Sequence, residues 1–555
     1  MLKPSLFSVA LLAGSLGALA QQPPSVGGQI RQVPPPPTIQ PVAPGIRIEQ
    51  GPAPASQASG QVRITVNQLR ITGQTLYPEA QLLAVTGFAG AGELTLSDLN
   101  VMAARISEHY RRNGYFVAQA YLPAQDIKDG VVNIAVVEGR YGNVTLRNQS
   151  RLSDAMAHDL LAGLGRGDII ERDALDSRLL LLSDVPGVAV SSTLAPGAAP
   201  GSSDLIVELT PGQLVSGSVE ADNAGNRYTG AARVGATVNL NNLAGHGDVA
   251  SLRVLYSGHG LAYGRASYQM MFGRLTAGVA YTALNYQLGE EFAALQAHGT
   301  ARIASLYVSY PLIRSRNNNM FVGLDYDHKT MQDFTDSTSS VVDKRAQVLT
   351  ARLHGNGRDH FLGGGVANYS IALSSGDLDI RTPAQLAADA AGARTQGHFW
   401  KLALQSSRLQ YLTDSLSFYI SGNVQFASKN LDISEKMSLG GPYGVRAYPV
   451  GEAYGDEASV ITLELRQMLP KFSETMPGRV QLVGFIDTGA VIINKEPFGA
   501  GPNHRRLSGA GIGLTWEEPN NFSVKTYYAH KLGHEVATSA PDKKGRFWIQ
   551  LVKYF

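Results

Sequence analysis

The chain has no cysteine among its 555 residues. That excludes a disulfide framework, a thiolate nucleophile and a cysteine-bound zinc. It also lacks a charge of one sign: 47 basic against 45 acidic residues leave a net +2. A nucleic-acid partner held on a basic face is therefore not expected. Past residue 20 there is no apolar run long enough for a spanning helix, which needs about 20 residues. Charged residues are only 17%, yet a mean hydropathy of −0.07 is too polar for a helical membrane bundle. If the chain enters a membrane, only a closed barrel can satisfy its backbone there. No Gly-Lys dipeptide occurs, so there is no P-loop and no expected nucleotide cofactor. Nor is there a Gly-x-Ser-x-Gly elbow.

What is present begins with a targeting pattern. Lys3 supplies a positive start, Leu6–Leu16 a short apolar core and Ala18-Leu19-Ala20 a small-residue cleavage pattern. The run then breaks into Gln21-Gln22-Pro23-Pro24. Residues 1–20 read as a signal peptide. Residues 21–61 form a proline-rich leader, with Pro34–Pro37 at its centre. Such a segment is expected to be an extended spacer.

From Val62 the pattern changes. Val62, Ile64 and Val66 alternate with polar residues, a strand signal. Pro78–Val85 is a short helical candidate, and Ser97 is placed to cap a helix carrying Leu99, Ala103, Ile106 and Tyr110 on one face. Gly114 ends it, and strand-like runs follow at Tyr115–Leu122 and Val131–Val137. The same order recurs: a strand through Val144 and Leu146, helices at Ser153–Leu161 and Arg172–Ser183, and strands at Val188–Leu194 and Leu205–Leu209. Two α+β units are thus expected in tandem, over residues 62–140 and 141–212, each large enough for a small core.

After Pro211 the helical patterns stop. Residues 213–555 show alternating segments separated by Gly, Asn and Asp clusters. Val480, Leu482, Ile486, Ala490 and Ile492 share one face of a strand, with Gln481, Val483, Phe485, Asp487 and Gly489 on the other. Ile461, Leu463 and Leu465 oppose Thr462, Glu464 and Arg466 in the same way. A soluble sandwich would alternate likewise. Over three hundred residues of strand without a helix, 23 tyrosines suited to interfacial girdles, and the terminal Phe547-Trp548-Ile549-Gln550-Leu551-Val552-Lys553-Tyr554-Phe555 favour a membrane barrel. At roughly ten residues per crossing, the segment holds about sixteen antiparallel strands with room for long external loops.

These pieces together resemble a two-partner secretion outer-membrane transporter, the TpsB branch of the Omp85 superfamily. The paired units resemble POTRA domains, notably at Asn113-Gly114-Tyr115-Phe116, Leu122-Pro123 and Val136-Val137-Glu138-Gly139. Asp222-Asn223-Ala224-Gly225 and Asn241-Asn242-Leu243-Ala244-Gly245-His246-Gly247-Asp248 look like the opening strands of the family barrel. Gly444-Val445-Arg446-Ala447-Tyr448 resembles the Val-Arg-Gly-Tyr tip of the sixth external loop, which folds back into the lumen; Ala447 stands where that motif has glycine. Phe485-Ile486-Asp487-Thr488-Gly489 matches the wall motif Phe-x-Asp-x-Gly.

The resemblance implies a mechanism and partners. The POTRA-like units would capture an unfolded exoprotein in the periplasm by adding its strand to a sheet edge, and the barrel would export it without nucleotide hydrolysis. An adhesin, a haemolysin or a contact-dependent toxin would serve equally as that partner. Arg446 at the tip would meet Asp487 on the wall, in company with Phe485 and Gly489. Phe555 resembles the terminal signal read by the barrel-assembly machinery, and Phe547, Ile549 and Leu551 would face outer-membrane lipid. The family also carries an N-terminal helix that plugs the barrel. Only Gly27–Val33 could supply one here, and two glycines, a stop at Pro34 and its shortness argue against a stable helix.

Three other chemistries are weighed and set aside. His534-Glu535 opens like a zinc-protease motif, but Thr538 stands where the second histidine belongs. His354, Asp359 and His360 could be cast as an acid–base set, yet sit in a Gly-rich segment that reads as loop. Glu464 and Arg466 read as charges that solvate the lumen. No catalytic residue and no metal site are expected. A passive porin and an assembly factor of the same superfamily stand as alternative functions; two POTRA-like units rather than more favour secretion.

Overall fold

A computed structural model describes residues 23–38, 44–49, 63–258 and 260–555. The expected signal peptide lies outside the described residues. The first unit contains β2 (Arg63–Val66), β3 (Gln68–Thr72), α2 (Glu79–Thr86), β4 (Gly92–Thr95), α3 (Leu96–Arg112), β5 (Gln119–Tyr121) and β6 (Val131–Val137). Helix α3 starts two residues earlier than Ser97 suggests. Thr95 is its cap, accepting from the Asp98 backbone N–H while the Asp98 carboxylate accepts from the Thr95 N–H. A reciprocal cap of this kind is worth about 1 kcal/mol. The apolar stripe Leu99–Ala103–Ile106–Tyr110 packs fully buried onto the sheet β3-β6-β5. The strand expected over Tyr115–Leu122 shrinks to three residues, because Tyr115 and Phe116 turn inward to cover the helices.

The motif glutamate Glu138 has a structural task. Buried to 4% exposure, its carboxylate accepts from the backbone N–H groups of Thr75 (2.6 Å) and Leu76 (2.8 Å), from the Thr75 hydroxyl and from the Tyr110 hydroxyl (3.0 Å). Burial alone would raise its pKa, but these donors favour the charged form and hold it below the usual range.

The second unit comprises β7 (Arg140–Asn148), α4 (Asp154–Leu161), α5 (Arg172–Ser183), β8 (Val188–Pro196) and β9 (Ser202–Pro211). Leu160, Leu175, Leu179 and Leu182 are fully buried between its helices and sheet. Its sheet order is β1-β8-β9-β7, and the added strand β1 (Ile46–Ile48) comes from the leader. That corrects the reading of residues 21–61 as spacer alone. Ile46–Ile48 pair in parallel with Ser192–Leu194, so the leader covers the β8 edge.

Sixteen strands close the barrel. They are β10 (Val215–Asp222), β11 (Arg233–Asn241), β12 (Val249–Tyr256), β13 (Leu261–Phe272), β14 (Leu275–Gln287), β15 (Ala297–Arg314), β16 (Asn318–Thr335), β17 (Ser340–Asp359), β18 (Gly365–Ile380), β19 (Gly397–Tyr411) and β20 (Leu416–Ala427), then β23 (Glu457–Met468), β24 (Arg479–Ile492), β25 (His504–Glu518), β26 (Phe522–Lys531) and β27 (Gly545–Tyr554). The long loop between β20 and β23 carries a two-stranded ribbon, β21 (Met437–Ser438) with β22 (Tyr454–Gly455). Leu306, Ile461, Ile486 and Ile512 expose 45–64% of their surface on the outer face, as side chains meeting lipid must. Their neighbours Thr462 and Glu464, Phe485 and Asp487 point inward, following the strand period of two.

The second unit is tied beneath the barrel. Met271, at the β13–β14 turn, enters the core of the second unit, and the Ser153 N–H donates to Gly245 O (2.9 Å) in the β11–β12 turn. Asp184, which ends α5, forms a bidentate pair with Arg314 (2.6 Å twice), and Asp176 pairs with Arg316 (2.8 Å).

Candidate functional site: a clasped loop and a plug inside the barrel

The loop between β20 and β23 folds into the lumen and is held at three places. At its base, Glu435 accepts from Lys329 and Lys401 and Asp432 from Lys344, each at 2.6 Å. At its tip, Arg446 lies flat against the wall. Its Nε and Nη2 donate to the two oxygens of Asp487 at 2.8 Å, and its backbone N–H to the same carboxylate at 3.1 Å. Its Nη1 reaches Glu464 (2.8 Å), which also binds Arg466 (2.6 Å). Thr462 donates to Asp487 Oδ1 (2.9 Å), and the guanidinium sits 3.4 Å from the Phe485 ring centroid. Arg446 is 4% and Asp487 0% exposed, so the pair is desolvated, bidentate and stacked, the strong form of this interaction.

The remaining motif residues frame that pair. Val445, Ala447 and Tyr448 are fully buried. Ala447 adopts no left-handed backbone, so this position does not require glycine. Its methyl is accommodated from the other side: a Cβ on Gly509 of β25 would lie 2.4 Å from that of Ala447. Gly489 leaves room for Leu439, which a Cβ there would meet at 3.1 Å. Beyond the tip, buried Glu452 accepts from the backbone N–H groups and hydroxyls of Thr538 and Ser539 and pairs with Arg505. The loop is thereby clipped to the β26–β27 loop. His534-Glu535 belongs to that loop, and Glu535 lies 3.7 Å from Arg505.

The plug is where the sequence argument fails. Helix α1 (Val26–Gln32) stands inside the barrel against β14–β16. Its glycines are not defects here. A Cβ on Gly27 would lie 2.9 Å from Ser434 N and 3.0 Å from Ile433, so glycine is what allows the helix to lie against the loop. The barrel also supplies what a seven-residue helix cannot. At the N-terminus the Val26 N–H donates to Asp333 (2.8 Å); past the C-terminus Gln32 O accepts from Arg233 (3.2 Å) and Pro34 O from Arg253 (2.7 Å). An anion at the positive end and cations at the negative end complement the helix dipole. The two arginines are themselves paired with Asp222 (2.9 Å) and Glu220 (2.8 Å) of β10.

Sequence reasoning brings Arg446, Asp487, Phe485 and Gly489 together, and the structure places them together. It misreads Glu464 as a solvating charge, although Glu464 lies opposite Phe485 in the β23–β24 register, a neighbour that strand pairing alone could suggest. Sequence reasoning did not single out Glu452, Arg233 or Arg253, whose partners lie on other strands and loops. The set His354, Asp359 and His360 does not assemble. His354 stacks on Phe321 (5.4 Å) toward the lumen, while Asp359, five positions on and so on the opposite face, is held by Arg408 (2.7 and 2.9 Å).

A strand barrel with POTRA-type units at its periplasmic end, and a long loop clasped in its lumen, defines an outer-membrane polypeptide transporter. The chain belongs to the haemolysin secretion/activation protein family ShlB/FhaC/HecB, whose model matches residues 201–516. The ShlB-type POTRA model matches residues 64–139. The heme/hemopexin transporter protein HuxB of Haemophilus influenzae (strain 86-028NP) is 31% identical over 473 residues, covering 83% of this chain and 82% of its own. The outer membrane transporter CdiB of Dickeya dadantii (strain 3937) is 24% identical, with 84% and 83% covered. CdiB from Escherichia coli shares the fold, with a TM-score of 0.67 at 20% identity over 91% of this chain and 93% of that one. The protein is a two-partner secretion transporter of the outer membrane, which decides against the porin and the assembly factor.

Proposed function

We propose that the two α+β units, residues 62–140 and 141–212, capture the unfolded partner exoprotein in the periplasm and hand it to a lumen that is shut at rest by α1 and the clasped loop. The observation that carries this reading is that both obstructions are held by charge pairs and polar contacts to the wall, Arg446–Asp487 and Glu464 for the loop, Asp333, Arg233 and Arg253 for the plug. Groups of this kind can exchange their partners for water when a client enters; the apolar contacts that also seat these elements, Val26, Ile30 and Val33 for the plug and Leu439, Val445 and Tyr448 for the loop, are what the client displaces.

Capture by strand addition meets a competitor. The β8 edge already carries β1, three residues long, and a client strand of ordinary length would offer more main-chain hydrogen bonds than it displaces. Since β1 and α1 lie on one leader, client binding at that edge pulls on the plug. Export needs no nucleotide, in keeping with the missing P-loop, and folding outside the cell supplies the drive. Phe555 serves assembly: its backbone exchanges hydrogen bonds with Gly217 (2.9 and 3.1 Å) where the last strand meets the first, and the lipid-facing Phe547 and Leu551 lie above it. Co-expression with the exoprotein encoded beside this chain, assayed in the medium, tests the proposal; an Ile46–Ile48 deletion should raise client binding to the second unit, and unchanged binding would remove the competitor step.

A further inference from the structure

The outer face of the barrel changes character along β15, β16 and β17. Register sets which side chains of these strands stand abreast, so the face reads as a series of rungs. Leu306, Tyr326 and Leu349 make one rung, and the next toward the periplasm is Val308, Leu324 and Ala351. The leucines are exposed, as lipid-facing side chains are. Toward the external end, past one mixed rung at His328, stands Arg302–Thr330–Arg345. Both arginines are exposed, and Thr330 is half-buried between them. Their sequence neighbours fix the direction: Ala301, Met331 and Ala346 are buried on the lumen side, in the cluster that receives α1. The rung therefore faces out, just above the apolar band.

This pair of cations has no counter-ion. Neighbouring strands lie about 4.8 Å apart, so the arginines straddle a gap of roughly 10 Å floored by a threonine. Neither guanidinium has a hydrogen-bond or ion-pair partner among the described residues. Asp379 of β18 stands abreast of Arg345 on the side away from Thr330 and forms no ion pair with it. On the far side of Arg302 the neighbour is Ala283. The space over Thr330 is thus flanked by two positive charges and holds no anion of the chain's own. Like charges held this close repel, and an arginine on the lipid face is cheap only near the membrane boundary.

A phosphate answers both conditions. Its oxygens can take the planar forks of two arginines together, which a single carboxylate does less well. At the external end of an outer-membrane barrel, the lipid that carries phosphates at this height is the glycolipid of the outer leaflet. Its acyl chains would lie along the Leu306 and Val308 rungs, contacts that a free phosphate lacks. We propose that Arg302, Thr330 and Arg345 form a seat on the outer face for a phosphate of lipid A.

Native mass spectrometry of the full chain, purified in detergent and stripped of lipid, tests the seat. The probes are bisphosphorylated lipid A, the same molecule dephosphorylated, phosphatidylglycerol and inorganic phosphate. The parent should retain one bisphosphorylated lipid A and none of the dephosphorylated form. Arg302→Gln and Arg345→Gln should each lower the retained fraction about fivefold, and Arg345→Lys, which keeps the charge without the fork, should lose part of it. Thr330→Trp leaves both cations but fills the space between them, and should lose as much as either glutamine variant. Arg506→Gln removes an exposed arginine of β25 whose neighbour across the ladder is Ala490, and should bind as the parent does. Heat-modifiable migration confirms that each barrel is folded. Parent-like retention in Thr330→Trp or in both glutamine variants would overturn the proposal, as would equal loss in Arg506→Gln. Equal retention of dephosphorylated lipid A would show that phosphate is not what is held. Equal retention of phosphatidylglycerol, or release of lipid A by inorganic phosphate alone, would reduce the rung to a general anion contact and end the assignment to lipid A.

Discussion

The periplasmic units and the barrel lumen bury polar groups in opposite ways. In the first unit one carboxylate, Glu138, is enclosed by neutral donors from Thr75, Leu76 and Tyr110, with Arg140 only 3.6 Å away at the edge. The rest of that interior is aliphatic and aromatic, apart from the Thr86 and Ser107 hydroxyls, which donate to main-chain carbonyls. In the lumen the buried groups are charges in pairs: Arg446 with Asp487 and Glu464, Arg233 with Asp222, Arg253 with Glu220, Lys329 and Lys401 with Glu435. An apolar core opened to water loses roughly 25 cal/mol for each Å² exposed. A separated ion pair regains hydration for both partners, so its net worth is small even when its geometry is good. The units therefore rest mainly on apolar burial, whereas in the lumen charge pairs stand beside the apolar clusters around Val26 of α1 and around Leu439, Val445 and Tyr448 of the loop.

The harshest way to break that contrast is to remove one side of it. Deletion of residues 62–210 should leave a barrel that inserts and migrates as folded, because lipid-facing residues and the strand ladder lie wholly in 213–555, while exoprotein in the medium falls below detection. Secretion at normal level from a confirmed barrel would show that the lumen alone suffices. Deleting Phe555 should lower outer-membrane abundance several-fold without changing secretion per barrel, since its two backbone bonds to Gly217 help to join the last strand to the first. Quantifying the protein in membrane fractions checks this.

Within the lumen, Arg446→Ala and Asp487→Ala should each reduce secretion at matched abundance. Removing one partner leaves the other charge buried and unpaired, a penalty of about 3–5 kcal/mol on the docked loop. The double variant should be little worse than either, because the shared interaction is lost once. Arg446→Lys should rescue in part, lacking the planar fork that meets Asp487 and Glu464 together. Gly27→Val tests the plug more gently. Its side chain would overlap Ser434 and Ile433, so the helix should leave, and single-channel recordings should show a larger and steadier conductance than the parent.

The same contrast explains what could be read from the sequence. Period-two alternation reports which face meets lipid, and the outer positions Ile461, Leu463, Ile486 and Leu551 are where alternation puts them. The periodic stripe of α3 is legible for the same reason. What alternation cannot report is which inward charges meet, since Asp222–Arg233 and Glu452–Arg505 join residues on different strands and loops. The plug was misjudged because helix propensity treats Gly27 and Gly28 as costs. Against the loop backbone at Ser434, Gly27 is the condition for docking.

The smallest effect expected concerns Glu138, the buried carboxylate of the first unit. Glu138 has its pKa depressed in the fold by its donors, despite its burial, against about 4.3 in an unfolded chain. Its contribution to stability is thus fully present above about pH 4.3 and is lost as pH falls through the lower folded value. Amide exchange over residues 63–139 of the full chain in detergent should show protection constant from neutral pH down to the carboxylate range and falling below it. Glu138→Gln keeps the acceptor oxygen but not the charge. It should flatten that acid limb and cost a modest amount at neutral pH, about 1–3 kcal/mol for a buried donor left poorly paired. If Glu138→Gln retains the full acid limb, the pH sensitivity belongs to the contacts with neighbouring elements, and the first unit carries no buried charge of consequence.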